Sequence, residues 1–237
     1  MVEQVNETPK ERGERREEAA PGHARSQKIA GVLLSIAGVT ILMGIITGEA
    51  LYPAPYNTAE NTISDLGGTM PSEGGIVLQP SAAIFDVTML LSGAMIFIGA
   101  YFGHRAFGKW AATFPLSLLG IGVLGVGVFP GYVPVVHPIF ALVAFVSGGV
   151  AAVLSYKIVR PPLRYIAVVL GTATLVSVVL GFFFLDELRF VAALGEGGIE
   201  RWIAYPVVLW LIMFGGYLMG NSGWPARVGV GPYYQGK

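Results

Sequence analysis

Apolar residues in this chain come in six unbroken blocks, not at the alternating or every-third-and-fourth positions of a half-buried strand or helix. The blocks run Ile29–Thr47, Ile84–Gly103, Trp110–Phe129, Pro138–Tyr156, Tyr165–Leu185 and Trp202–Gly220. Each is about 19–21 residues long, the length an α-helix needs to cross a hydrocarbon core of roughly 30 Å. The pattern predicts an all-α integral membrane protein with six transmembrane helices and one membrane domain over residues 29–220. Residues 1–28, with ERGERREEAAPG at their centre, mix both charges without an apolar stripe and are expected to form a disordered tail, a short Glu/Arg helix being the alternative. Residues 221–237 form a second, shorter tail. The first block follows a charged segment too long for a signal-peptide n-region and precedes no small-residue cleavage site, so it is expected to stay as a span.

Composition supports this reading. The chain is 54% hydrophobic and 13% charged, whereas a soluble domain carries about 25% charged residues. A net charge of zero argues against a nucleic-acid partner, which needs a basic surface. The chain has no cysteine, which removes disulfides, thiolate ligands and a cysteine nucleophile. His23, His104 and His137 are too scattered to suggest a histidine metal site, and the sequence leaves any cofactor unknown. No ionisable residue lies at the centre of a block, which disfavours an ion-coupled carrier.

Charge sets the expected orientation. Thirteen of the fifteen Lys and Arg residues fall in the two tails and in the loops after the second and fourth blocks. The other three loops hold only Arg189 and Arg201, with eight acidic residues. Basic short loops stay cytoplasmic, so both termini are expected on the cytoplasmic side of the cell membrane, with membrane lipids as partners. Glycines four apart (44/48, 99/103, 127/131 and 216/220) suggest close helix packing within the chain in preference to a dimer motif, and they leave the oligomeric state open. Tyr52, Tyr56, Trp202 and Tyr205 fit an outer aromatic belt; Tyr101, Trp110, Tyr156, Tyr165 and Trp224 fit an inner one.

The same topology gathers the unusual residues on the outer face. The first outer loop is the longest and is expected to be structured, because its prolines, tyrosines, Ile63 and Leu66 argue for order. Within it, Ser64 and Asp65 before Leu66-Gly67-Gly68 suggest a capped turn, or alternatively a carboxylate held at the membrane surface for a cation or substrate. Asp86 lies just inside the second span, where the helix dipole favours a carboxylate. His137 stands at the mouth of the fourth span as an interface residue or an acid–base group. Glu200 and Arg201 open the sixth span ahead of Tyr205. Arg201 is expected to pair with Glu200, Asp65 or Asp86, or to hold an anion.

The NTISDLGG turn, the GVGVFPG stretch ahead of His137 and the GGIERWIAYP entry to the last span resemble the membrane-protein family called domain of unknown function 998, from about Gly31 to Gly220. The resemblance implies a polytopic membrane protein and supplies no reaction, cofactor or catalytic residue. Three functions stay open. One is a protein whose outer patch, with Ser64, Glu200, Arg201 and Tyr205, binds lipid head groups or a small solute. The second is an intramembrane lipid hydrolase or transferase using His137 with Asp65 or Asp86, which requires the histidine within hydrogen-bond reach of a carboxylate. The third is a passive permease.

Overall fold

The computed structural model describes residues 9–69, 72, 74–185 and 187–221, and holds six helices long and apolar enough to cross a membrane. They are α1 (Pro9–Ala50), α2 (Ser81–Phe107), α3 (Trp110–Val128), α4 (Val136–Leu154), α5 (Leu163–Phe183) and α6 (Arg189–Gly220). No strand occurs among the described residues.

Two helices start earlier than hydropathy suggests. α1 is helical from Pro9, which corrects the expectation of disorder for that part of the first tail. The segment is rich in Glu, Arg and Ala, all good helix formers, and it propagates from a hydrophobic span that already supplies the costly nucleus. Residues 1–8 and 222–237, which hold the rest of the two expected tails, lie outside the described residues. α6 begins at Arg189, well before its apolar block, and breaks at Gly195, whose φ of 70° and ψ of 174° are not helical. A left-handed φ with extended ψ strains a residue bearing a Cβ, so glycine fits this hinge.

The helices close into a ring in which α1 packs on α2 and α6, and α2, α3, α4, α5 and α6 follow in order. α4 also touches α6, so α5 lies outside that pair. Small residues make the crossings close. A Cβ on Gly215 would stand 2.5 Å from the Gly31 carbonyl oxygen, and one on Gly31 would stand 2.7 Å from that of Gly215. Gly149 and Gly171 face each other in the same way between α4 and α5. The Gly216/Gly220 pair read from spacing does not pack: a Cβ on either meets nothing within 4 Å. Most large apolar side chains on the outer surface of the ring are exposed, as Val169 at 65% shows, which fits a protein whose solvent there is lipid.

Candidate functional site

At the end of the bundle where α1 finishes and α6 begins, residues 51–69 fold over the helix ends, and Arg201 holds them down. Its Nη1 donates to the carbonyls of Thr58 (3.0 Å), Asn61 (2.9 Å) and Gly197 (2.8 Å). Its Nη2 donates to Glu49 Oε1 at 2.6 Å and to the Tyr56 hydroxyl at 2.8 Å. The pair with Glu49 is largely withdrawn from solvent, with the side chains 11% and 21% exposed. Tyr205 lies beside the same guanidinium. Tyr56 in turn donates to the Thr62 carbonyl at 2.7 Å. Burial raises the Tyr56 pKa above the ordinary tyrosine value; the Arg201 charge opposes the shift, and Glu49 and Glu200 reinforce it. One cation therefore ties together the end of α1, the loop and the start of α6. The partner anticipated among Glu200, Asp65 and Asp86 is instead Glu49, which closes the α1 terminus. The glycines around the break in α6 make this possible: the Gly197 amide donates to the Ala59 carbonyl at 3.0 Å. A Cβ on Gly195 or Gly197 would collide with the loop backbone at Ala59 or Asn61.

The next few residues form a 3₁₀ turn, Ser64–Leu66, entered through a reciprocal cap. The Thr62 amide donates to Asp65 Oδ2 at 2.8 Å, and the Asp65 amide donates to Thr62 Oγ1 at 3.2 Å, the arrangement of a capping box. Glu200 reaches over from α6 and completes it. Its Oε2 accepts from the Ile63 amide at 2.5 Å and its Oε1 from the Ser64 hydroxyl at 2.9 Å. Orphan amides at a turn start attract a carboxylate both by hydrogen bonding and by the local dipole. Ser64, expected to accept a backbone bond, donates to Glu200. Gly68 follows with φ 140°, and Gly131 lies against its carbonyl so closely that a Cβ there would overlap it.

His137 and Asp86 flank this turn. His137 is 4% exposed, and its Nδ1 lies 2.7 Å from the Phe129 carbonyl oxygen. A carbonyl only accepts, so Nδ1 carries the proton and Nε2 presents a lone pair in the neutral ring. Nε2 is buried and has no hydrogen-bond partner among the described residues, and the same holds for Asp86 Oδ1. A Cβ on Gly67 would stand 3.1 Å from that Asp86 oxygen, which places Asp86 directly behind the turn. Asp65 acts electrostatically on His137, yet the imidazole makes no hydrogen bond to a described carboxylate. Among the described residues, no group of three or more acidic or histidine side chains is placed to hold a metal ion.

Beneath the turn lies a cavity of about 80 Å³. All helices but α5 contribute to its wall, through residues such as Ile45, Met89, Val123, Ala141 and Ala204. Fifteen of its seventeen lining residues are apolar; the exceptions are Ser64 and Glu200, bonded to each other at its rim.

Ring closure, membrane-length apolar helices and a polar cap at one end define a multi-pass α-helical membrane protein. The chain belongs to the family described as Protein of unknown function (DUF998), whose model matches residues 35–217. No curated protein and no solved structure matches it.

Of the residues singled out in the sequence, Ser64, Asp65 and Glu200 share one turn, Arg201 and Tyr205 form the neighbouring clamp, and His137 and Asp86 stand behind it. Sequence reasoning missed Glu49, Tyr56 and Thr62. The Thr-x-x-Asp spacing was a signal for Thr62. Tyr56 looked like one more belt aromatic, and nothing in the sequence distinguished Glu49 from the other outer acids.

Proposed function

We propose that this is a non-catalytic lipid-binding protein of the cell membrane, with both termini cytoplasmic, that holds one amphipathic molecule in its central cavity. The observation that carries the reading is the cavity: an apolar chamber at the heart of the bundle whose polar wall consists of a hydroxyl and a carboxylate at the outer end. A volume of 80 Å³ admits about five to eight water-sized groups, enough for a small head and the first carbons of one chain. Glu200 keeps lone pairs beyond those its two donors use, so a ligand hydroxyl has an acceptor in a place where an unpaired polar group would be costly. The matching class is a neutral single-chain lipid with a hydroxylated head, such as a monoacylglycerol.

Monooleoylglycerol added to the purified, delipidated protein is expected to raise the melting temperature of wild type and of the lipid-facing variant Val169→Phe. Ala204→Phe, which fills the cavity, is expected to lose the shift. An equal shift in all three would mean that the lipid acts on the outer surface and would end the proposal. For the orientation, cysteines placed at Ser72 and Glu196 should react with an impermeant maleimide from outside intact cells while one at Arg160 should not; the reverse pattern would invert the topology.

A second reading, hydrolysis by His137 with Asp65 or Asp86, lacks the histidine–carboxylate hydrogen bond it requires among the described residues; what speaks for it is the buried Nε2 of His137, which has no partner there. That reading requires the purified protein to cleave monooleoylglycerol and His137→Gln to abolish the turnover; no turnover by wild type removes it.

A further inference from the structure

A second lipid-sized feature lies at the opposite end of the bundle, between α2 and α3. There a lateral groove of about 290 Å³ is lined by Phe97, Ile98, Tyr101 and His104 from α2 and by Trp110 and Ser117 from α3. It faces outward, with Tyr101 56% and Trp110 67% exposed. It is independent of the central cavity, and the two share no lining residue. Phe97, Tyr101 and Arg105 fall four apart on α2, so Arg105 continues the groove's face one turn beyond Tyr101, toward the helix end. Arg105 and Lys109 are both exposed; the Lys109 ammonium donates to the Lys157 carbonyl at 3.0 Å and keeps its other two protons for a further acceptor.

His104 is held in place by a relay. The Thr113 hydroxyl donates to the Lys109 carbonyl at 3.1 Å and therefore accepts from His104 Nδ1, which lies 3.0 Å away. The ring also packs on Trp110, with centroids 4.0 Å apart. This groove is mostly apolar and ends at His104, with Arg105 and Lys109 next to that end in the chain, and an interfacial Trp and Tyr mark the depth of the head groups.

We propose that this groove binds one anionic phospholipid, its acyl chain lying along Phe97, Ile98 and Ser117 and its phosphate at the end marked by His104, Arg105 and Lys109. Charge complementarity selects this occupant: a zwitterionic lipid offers the same chain but no net charge to two adjacent cations. A basic residue near an anionic surface contributes about 1 kcal/mol, roughly a fivefold preference per charge.

Native mass spectrometry of the full chain released from nanodiscs of phosphatidylcholine with one fifth phosphatidylglycerol reads the bound lipid directly. Wild type is expected to retain one phosphatidylglycerol in preference to phosphatidylcholine. Arg105→Gln should reduce that preference about fivefold while leaving total bound lipid unchanged. Ser117→Phe, which fills the groove, should lose the retained lipid of either type. No preference in wild type, or an undiminished preference in Arg105→Gln, would overturn the site. Loss of the central-cavity ligand would leave this result untouched.

Discussion

Arg201 is the residue on which the polar cap depends. It spends its donors on three carbonyls, a carboxylate and a phenol drawn from α1, the loop and α6. Removing it leaves Glu49 without its ion-pair partner in a site largely closed to water, and breaking a buried pair this way costs about 3–5 kcal/mol. Arg201→Ala should therefore lower the detergent melting temperature markedly. Arg201→Lys should recover little, because an ammonium cannot span the forked set of acceptors. Combining Arg201→Ala with Glu49→Gln should cost less than the two single changes together, since the second removes the stranded charge; strict additivity would mean that the 2.6 Å contact contributes nothing. In the sequence Arg201 was visible as one of two outer cations, but its partner was not. Glu49 lies far from it along the chain, and choosing among several carboxylates depends on how residues 51–69 fold. Asp65 was more legible, because its cap is local and the Thr-x-x-Asp spacing is written in the chain.

At the scale of elements, hydropathy located all six spans because membrane helices must satisfy their backbone internally and present apolar surface to lipid. It placed the start of α6 too late. Residues 189–201 hold three glycines and four charged residues around the short apolar run 190–194, too short to read as a span, and the helix there is held by the loop docked across Gly195 and Gly197, a tertiary cause that hydropathy does not report. The glycine spacing showed that helices pack closely without showing where. Gly215, not Gly216, meets α1, because the rotation of each helix about its axis is set by all its neighbours together. Gly215→Leu should force α1 and α6 apart and destabilise the bundle, while Gly216→Leu should be tolerated within about 0.5 kcal/mol. Equal melting temperatures for the two variants would contradict the crossing at Gly31 and Gly215.

For the molecule as a whole, ring closure turns six separately legible helices into something no single segment announces. The lining of the central cavity is drawn from five helices and one turn. Its residues are ordinary Ile, Val, Ala and Met positions that read as core until the ring is assembled. The polar cap then has a physical role: Arg201 and Glu49 neutralise each other, and Glu200 and Asp65 bind the turn that roofs the chamber. The carboxylates thus work first as structure, and the polar rim they leave at Ser64 and Glu200 faces the cavity. Whether a lipid enters there is read most directly by photocrosslinking. A monoacylglycerol carrying a diazirine on its first acyl carbons, irradiated with the protein in nanodiscs and mapped by peptide mass spectrometry, should label Ile45, Met89 and Ala204 in the chamber wall. Excess unmodified monoacylglycerol should suppress that labelling. Adducts confined to outward-facing positions such as Val169, and unchanged by the competitor, would contradict the account.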